Sequence, residues 1–252
     1  MHRFVFPSFC AAVLLALPPS ALSTERHFTY TYEVTTTPKG ALEVENWVTW
    51  TAPKRHSSGA GEFDFRHEFE YGLTDRLQVS LYVADWSILD DATHRRSTRY
   101  TDSAVEAIYN LTSPAADFLG SALYGEVRVG DELLELEGKL LLQKNIGPFI
   151  AAYNLIVEGA WEGRHFDERE GEFAQSLGIS YEIVPQLTVG AELLHEIDLP
   201  DWSRAEPSVV WAGPNASFRH ANWYATLTPL FQLTDRSDEP DFQTRLILGV
   251  QF

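Results

Sequence analysis

Residues 62–83 read EFDFRHEFEYGLTDRLQVSLYV, and this stretch decides the fold class. In each half, apolar residues occupy every second position and polar residues occupy most of the positions between them. The segment Gly72-Leu-Thr-Asp-Arg76 lies between the halves and is rich in residues that form tight turns. A period of two is typical of a β-strand with one apolar face. The stretch therefore predicts two antiparallel strands joined by a short turn.

The same period-two alternation continues along the chain, and no segment shows a sustained apolar stripe at helical spacing. We expect twelve strands of about 9–11 residues or slightly more, the length that a tilted strand needs to cross a bilayer. Short turns alternate with mostly longer polar loops, which is the asymmetry of a bacterial outer-membrane barrel. The predicted strands are 41–52, 62–73, 76–86, 103–112, 118–129, 133–143, 148–162, 172–184, 187–197, 208–218, 222–234 and 242–252.

Composition narrows the functional class. The chain has 252 residues, with 19 Lys+Arg against 36 Asp+Glu and a formal net charge of -17. Nucleic-acid binding needs a basic surface, so this balance disfavours it. Hydrophobic residues make up 44% and aromatic residues 13%, which is too apolar for a disordered chain. Because no apolar run approaches the roughly 18 residues of a membrane-spanning helix, a helical membrane protein is excluded.

The N-terminus carries the features of an export signal. Arg3 supplies a basic start, residues 4–17 form an apolar run too short to span a bilayer, and Ala21-Leu-Ser23 provides small residues before a cleavage point. The sequence therefore predicts a secretory signal peptide at 1–23. Because Cys10 lies within it, the mature chain would lack Cys, which excludes disulfides, thiol catalysis and zinc–thiolate sites.

The charged residues of the predicted strands fall on one face. Of 19 such residues, 14 acidic and 4 basic ones lie on the less apolar face, and Asp85 alone lies on the other. A soluble β-sandwich would show a similar alternation, so the charges do not decide which face is the inside. Five aromatic residues also fall on the charged face, where they would narrow a passage: Trp47, Tyr82, Trp86, Tyr124 and Tyr224.

Three features favour a membrane barrel over a sandwich. The strands form one unbroken up-and-down meander, without the returns of a Greek key. The chain stops on Phe252, which lies on the apolar face of the last strand. Aromatic residues lie near strand ends on that face, as membrane-interface girdles do. These residues are Trp50, Tyr71, Tyr109, Tyr153, Trp161, Phe173, Trp211, Trp223 and Phe242.

The last strand, FQTRLILGVQF, resembles the C-terminal strand of Gram-negative outer-membrane β-barrels. The hairpin from Tyr71 to Val79 and the segment from Pro38 to Glu45 resemble those of poorly characterised porin-like or transporter-like barrels. The resemblance covers about 38–252. It implies a location in the cell outer membrane and contact with outer-membrane lipid and periplasmic chaperones. It also implies that Phe252 is the assembly signal read by the barrel-assembly machinery.

Two regions depart from a regular barrel. Residues 24–40 precede the predicted barrel at 41–252, and within them 28–34 show strand-like alternation. We expect 24–40 to be an extended arm, in the lumen or in the periplasm. Pro214 and Pro229 lie inside neighbouring predicted strands, where each removes a hydrogen-bond donor. They predict a bulge or a local gap in the wall.

No motif for catalysis, phosphate binding or paired metal ligation occurs, so we expect no enzyme activity, catalytic residue, metal or cofactor. An outer-membrane lipid hydrolase would need a Ser beside an outward His, and neither His67 nor His195 has one on a neighbouring predicted strand. Residues 164–172 are rich in acidic groups but lack the ligand order of a calcium loop. We interpret them as a solvated outer loop.

The charged face then defines the candidate site. If it lines a lumen, its acidic excess predicts a cation-preferring channel or transporter for small solutes. A plugged structural or adhesion barrel, a lipid hydrolase and a soluble periplasmic β-protein remain as alternatives, and substrate and oligomeric state stay open. The candidate lumen-lining residues are Glu43, Glu45, Asp64, Arg66, Glu68, Glu70, Glu135, Glu137, Lys139, Glu158, Glu192 and Arg245.

Overall fold

The structure, a computed structural model, describes residues 26–54, 61–90 and 96–252. The predicted class, an all-β antiparallel barrel of twelve strands, is confirmed. The signal peptide predicted at 1–23 lies outside the described residues and stays a prediction. The strands are β1 Leu42–Thr51, β2 Gly61–Gly72, β3 Leu77–Asp90, β4 Arg96–Thr112, β5 Gly120–Gly130, β6 Leu133–Ile146, β7 Phe149–Glu162, β8 Glu168–Val184, β9 Leu187–Pro200, β10 Val209–His220, β11 Trp223–Gln232 and β12 Phe242–Gln251.

Each strand pairs with its neighbours in the sequence, and β1 pairs with β12 to close the sheet. At this seam the Phe252 backbone N–H donates to the Leu42 carbonyl oxygen at 2.8 Å. Closure leaves no sheet edge, so the ladder hydrogen bonds are made within the wall. Within the part of the chain that the structure describes, no helix is both long and apolar enough to cross a membrane.

Burial decides which face of the sheet is the inside. In β1 the side chains of Glu43 and Glu45 are buried, while the alternate residues Leu42 and Asn46 are exposed. A soluble sandwich would bury its apolar face and expose its charges, whereas this barrel buries charged residues beside aromatic and apolar ones inside and has an apolar outer surface. The outer surface includes the exposed residues Leu81, Val105, Leu123, Val127, Val157, Leu177, Ile179, Leu227 and Leu248.

A β-bulge in β3 overturns two predictions, that Asp85 faces outward and that Trp86 faces inward. Ala84 has a φ of 55°, and the pairing register of β3 shifts at this point against both neighbouring strands. The extra residue turns the Asp85 side chain inward, where its Oδ2 accepts a hydrogen bond of 2.7 Å from Arg66 Nε. Trp86 turns outward and stacks on Phe65 at 4.0 Å between ring centroids. The charged pair and the stacked rings stabilise the bulged arrangement.

Three other predictions need correction. Trp211 is not on the outer face: it is buried, and its Nε1 donates to Glu196 Oε2 at 3.1 Å, because an inward indole finds a carboxylate partner there. The gap between the predicted strands 76–86 and 103–112, residues 87–102, is not one long loop, since β3 and β4 extend into it. β8 begins at Glu168 rather than at 172, because backbone pairing at the rim continues through charged residues.

The two prolines interrupt the ladder between β10 and β11 without changing its register. The ladder pairing stops at the pair Ala212–Phe231 and resumes at the pair Ala216–Leu227. The unchanged register sets Pro214 opposite Pro229, and neither residue has an N–H to donate. The strands stay close at this point: a Cβ placed on Gly213 would lie only 1.8 Å from the Pro229 carbonyl oxygen. The result is a local interruption of hydrogen bonding rather than a bulge.

Residues 26–37, which we call the inner segment, lie inside the barrel rather than in its wall. Phe28, Thr29, Thr31, Val34 and Thr37 have no exposed surface. The inner segment forms no strand, and the chain leaves it at the end of the barrel that carries the short turns. There, the Gly40 N–H donates to the Gly72 carbonyl oxygen at 2.8 Å. Of the two positions that the sequence left open for the arm, the inner segment occupies the lumen.

Candidate functional site

The inner segment runs around the inside of the wall. Successive residues, followed from Thr37 back to Arg26, contact strands in nearly the order in which those strands follow one another around the barrel. Wall residues that show this order by their hydrogen bonds to the inner segment include Gln78 of β3, Asn110 of β4, Gln143 of β6, Asn154 of β7, Glu192 of β9, Asn215 of β10 and Thr226 of β11. The lumen is therefore lined by two layers of chain over this part of its height.

Glu192 is the main anchor of the inner segment. Its carboxylate accepts hydrogen bonds from the backbone N–H groups of Thr29, Tyr30 and Thr31, each at 2.8 Å. The Thr228 hydroxyl donates to the same carboxylate at 2.6 Å. A hydrogen bond to a carboxylate is charge-assisted and stronger than one between neutral groups, and Glu192 makes several of them. Glu192 thus fixes three consecutive residues that have no strand partner.

Amide side chains satisfy much of the remaining backbone of the inner segment. Asn154 accepts from the Tyr32 N–H at 2.6 Å and donates to the Tyr32 carbonyl oxygen at 2.9 Å. Gln143 accepts from the Val34 N–H, and Gln78 accepts from the Thr37 N–H, both at 2.8 Å. An amide both donates and accepts, so it can replace the ladder partner that an isolated extended chain lacks. These side chains make the wall specific for a peptide backbone.

The first half of the inner segment is held by a contact within the segment and by a close fit to the wall. His27 Nδ1 lies 2.9 Å from Glu33 Oε1, and the His27 N–H donates to Glu33 Oε2 at 2.8 Å. Phe28 lies against Gly178 of β8, where a Cβ would come within 2.6 Å of the phenyl ring. The glycine at this inward position is therefore required by the close approach of the Phe28 ring.

Arg26 brings a positive charge into an acidic part of the lumen. Its Nη1 donates to Glu45 Oε2 at 2.9 Å and lies 4.0 Å from Glu70. The Trp47 indole N–H donates to the same Glu45 carboxylate at 2.6 Å, and the Tyr224 hydroxyl donates to its other oxygen. The guanidinium also lies over the rings of Tyr32 and Trp47, at 4.4 and 4.6 Å from their centroids. Arg26 thus joins the inner segment to the wall by charge and by cation–π contact.

Arg26 lies on one side of Trp47, and an open space lies on the other side, toward the end of the barrel that carries the longer loops. It is a cavity of about 380 Å³, which we call the outer cavity. Arg66 and Arg245 face it and also contact the Trp47 ring, at 5.3 and 5.2 Å from the centroid. Opposite charges therefore share its wall. The charged residues that line it are Asp64, Arg66, Asp85, Asp102, Arg128 and Arg245.

At the outer rim, Arg236 connects two loops. Its Nε donates to Asp238 Oδ1 at 2.8 Å, and its guanidinium also donates to the Pro207 carbonyl oxygen and lies 3.6 Å from Glu206. The hydrogen bond from Arg236 lowers the pKa of Asp238 to about 2. The loop after β11 is thereby fastened to the loop before β10.

The predicted lumen residues all face the interior, but they form separate groups. Glu45, Glu68 and Glu70 lie together, with carboxylate oxygens within 4.8 Å of one another, and Glu135 and Glu137 lie together with Glu126. Glu192 of β9 is apart from both groups and is bound to the inner segment. The buried members are Glu43, Glu45, Glu68, Glu70 and Glu192, and the partly buried ones are Asp64, Arg66, Glu135, Glu137, Lys139, Glu158 and Arg245.

Of the residues that hold the inner segment, sequence reasoning predicted Glu192 and Glu45 as lumen lining but missed Arg26 and the inward amides. Arg26 lay outside the strand-like stretch, and the inward amides were not distinguished from ordinary lumen lining. The signal that could have found them is the presence of the amides Gln78, Gln143 and Asn154 at inward positions near the short turns.

Among the described residues, the hydrogen-bond partners of the outward His67 and His195 include no nucleophilic hydroxyl. His67 Nδ1 lies 2.8 Å from Asn46 Oδ1, and the Trp86 indole N–H donates to His67 Nε2 at 3.3 Å. His195 Nδ1 lies 3.4 Å from Gln175 Nε2. A lipid hydrolase would need a hydroxyl in one of these positions. Phe252, the predicted assembly signal, is about half exposed at the seam, and its recognition by the assembly machinery stays a prediction.

Solved structures share this fold. The COG4313 outer membrane channel from Pseudomonas putida F1 is similar with a TM-score of 0.59 and 15% identity, over 87% of this chain and 98% of that one. A KdgM porin is similar with a TM-score of 0.54 and 13% identity, over 83% of this chain and 98% of that one. A NanC porin is similar with a TM-score of 0.55 and 9% identity, over 84% of this chain and 98% of that one. At these identities the likeness concerns the fold, and it confirms a porin-like barrel of the outer-membrane type.

A search of curated proteins found no significant match. The profile of DUF6662, described as a family of unknown function, matches residues 20–245. This range includes the inner segment and nearly all of the barrel, so the chain belongs to the DUF6662 family.

Proposed function

We propose that this protein is an outer-membrane channel for small cationic solutes, in which the inner segment forms the constriction. The fold supports the channel part, because similar barrels include an outer membrane channel and two porins. The polar interior and the outer cavity of about 380 Å³ support an aqueous path from the loop end to Trp47. Beyond Trp47, a solute would pass beside the inner segment or displace it.

The observation that carries the cation preference is the charge of the inner wall. Nine acidic side chains of the wall are buried within the described residues, whereas the cations of the wall are only partly buried. The buried acidic residues are Glu43, Glu45, Glu68, Glu70, Asp85, Asp102, Glu106, Glu126 and Glu192. The four basic residues of the charged strand face are Arg66, Arg128, Lys139 and Arg245.

A confined passage with one sign of charge concentrates the opposite ion. Low-dielectric walls focus the field, so an acidic excess raises the local concentration of cations and lowers that of anions. Salt screens such a field over about 8 Å at physiological ionic strength, so the preference should weaken in concentrated salt. The cation preference depends on an excess of wall carboxylates over cations near the constriction.

The test is the reversal potential of the purified protein in a planar bilayer across a KCl gradient. We expect a cation-selective potential for the native chain and a potential shifted toward zero for a Glu43→Gln/Glu45→Gln/Glu68→Gln variant. The matched control replaces Glu132, Glu182 and Glu206, which are exposed at the rims, and should keep the native potential. Anion selectivity, or equal potentials for the native chain and the inner-wall variant, would refute the role of these carboxylates.

A second candidate function has its own supporting observation. Wall side chains accept hydrogen bonds from six backbone N–H groups of the inner segment, those of Thr29, Tyr30, Thr31, Tyr32, Val34 and Thr37. A segment held this firmly suits a permanently plugged structural barrel. Absence of conductance in folded, membrane-inserted protein would favour that alternative over the channel.

A further inference from the structure

Four carboxylates face one another across the β1–β2 pair inside the barrel. Glu43 is opposite Glu70 in the pairing register, and Glu45 is opposite Glu68. All four side chains are buried. Carboxylates directly opposite on one face of a sheet repel each other, so this arrangement needs a compensating positive charge.

The charge supplied by the protein does not compensate the group. Arg26 bonds to Glu45 at 2.9 Å and reaches Glu70 only at 4.0 Å. Glu68 is completely buried, and neither of its carboxylate oxygens has a hydrogen-bond partner in the described structure. A buried carboxylate without a donor is strongly destabilising, so it points to a ligand that binds both oxygens or one of them.

The geometry suits a small cation with oxygen ligands. Single oxygens of Glu45, Glu68 and Glu70 all lie within 4.8 Å of one another. An ion bound at roughly 2.3–2.6 Å from each oxygen needs ligand oxygens no farther apart than about twice that distance. A cavity of about 40 Å³ lies against the group, and its lining includes Glu43, Glu45 and Glu70 together with Arg26. That space exceeds the roughly 10–15 Å³ that one water needs, so it can also hold ligand waters.

A second acidic group in the same lumen shows what compensation looks like. Glu126 and Glu135 lie 2.7 and 3.3 Å from nitrogens of Arg128, and Glu137 forms an ion pair with Lys139. Each of these carboxylates is paired with a cation, and Arg128 serves two of them. The contrast singles out the β1–β2 group, in which Glu68 has none.

We propose that Glu45, Glu68 and Glu70 bind a calcium ion inside the barrel, next to the inner segment. Only oxygen ligands are offered, which favours a hard divalent cation over a transition metal, and Ca²⁺ tolerates irregular geometry better than Mg²⁺. The ion bridges β1 and β2 and neutralises the wall beside Arg26. The sequence alone predicts no metal because these ligands come from two strands and show no motif. The proposal does not rest on conduction.

Calcium binding to the folded protein tests the proposal directly. The full barrel with its inner segment is stripped with a chelator and titrated with Ca²⁺ by calorimetry. We expect one saturable site per chain, a higher unfolding temperature with Ca²⁺, and affinity at least about tenfold weaker in Glu68→Gln, because ligand charge sets affinity in such sites. Glu137→Gln, the matched control in the compensated group, should bind like the native chain. No saturable binding, or equal binding by Glu68→Gln, would overturn the proposal.

A luminescent probe locates the ion even if a carboxylate variant folds poorly. Trp47 donates to Glu45 at 2.6 Å, so its indole lies beside the proposed ion. Tb³⁺ in place of Ca²⁺ should luminesce on tryptophan excitation, Ca²⁺ should displace it, and Trp47→Phe should lose most of the signal. A signal that persists in folded Trp47→Phe would place the ion elsewhere and refute the site. Because neither measurement uses current, a failed calcium site leaves the channel proposal standing, and an absent current leaves the calcium site standing.

Discussion

At the scale of single residues, Glu192 is the strongest determinant of where the inner segment lies. It accepts from three backbone N–H groups and two hydroxyls, whereas Asn154, Gln143 and Gln78 accept from one backbone N–H each. Hydrogen bonds to a charged acceptor contribute roughly 1.5–3 kcal/mol each, and the group that remains unpaired on their loss adds a further cost. A single substitution at Glu192 should therefore release the segment more than any single amide substitution does.

The change Glu192→Gln removes the charge and turns an NH₂ group toward N–H donors. We expect the inner segment to open more often, and a thiol placed at Thr31→Cys to react with an impermeant reagent at least about tenfold faster. Thr31 suits the probe because it is wholly buried and its hydroxyl has no hydrogen-bond partner. The rate of labelling is the measurement. Glu182→Gln, an exposed control, should leave the rate unchanged, and an unchanged rate in Glu192→Gln would show that Glu192 is not the anchor.

At the scale of elements, the bulge in β3 depends on one residue in a left-handed conformation. Ala84 has a φ of 55°, which costs an L-residue roughly 1–2 kcal/mol. Gly avoids this cost, so Ala84→Gly should raise the urea midpoint of unfolding. Ala107→Gly, at an exposed position in a regular part of β4, should lower the midpoint, because Gly in a strand interior costs about 0.5–1 kcal/mol. Equal destabilisation by both changes would mean that Ala84 is not strained.

The elements also show how far the sequence could predict the fold. Alternation predicted the number of strands and most of their faces, since a buried polar lumen and an apolar outer surface impose a strict period of two. It could not predict the bulge at Ala84, because one extra residue inverts the faces that follow without leaving a composition signal. The inward position of Trp211 could not be predicted for a related reason. An aromatic residue near a rim suits either face, and only the hydrogen bond to the nearby Glu196 decides which one it takes.

The candidate site was less predictable than the fold. The carboxylates of the wall could be found because they repeat on one face, and five of the predicted ones are buried there. Their grouping could not be found, because it depends on which strands curve toward each other and on where Arg26 lies. The hydrogen bonds between Glu192 and residues 29–31 join positions 161 to 163 residues apart, beyond any local pattern.

At the scale of the whole molecule, the two ends of the barrel differ. One end of the barrel carries the start of β1, the finish of β12 and the turns at 73–76, 147–148, 185–186 and 221–222. The opposite end carries the loops at 163–167, 201–208 and 233–241. Short turns face the periplasm in outer-membrane barrels. Epitope tags in 163–167 should therefore be accessible from outside intact cells, whereas a tag in the turn at 114–117 should be hidden. Antibody labelling with and without permeabilisation measures this, and the reversed pattern would contradict the orientation.

The inner segment also has a consequence for the order of folding. Its anchors lie far along the chain: Thr29 bonds to Glu192 across 163 positions, and its carbonyl oxygen accepts from Arg245 across 216. Contacts that close such long loops form late, because the loss of chain entropy precedes the gain from the contact. An assembling sheet that still lacks β9 to β12 has no Glu192 and no Arg245 to receive the segment. The first described part of the chain is thus among the last to become fixed, and the lumen is an open groove until the seam between β1 and β12 forms around it.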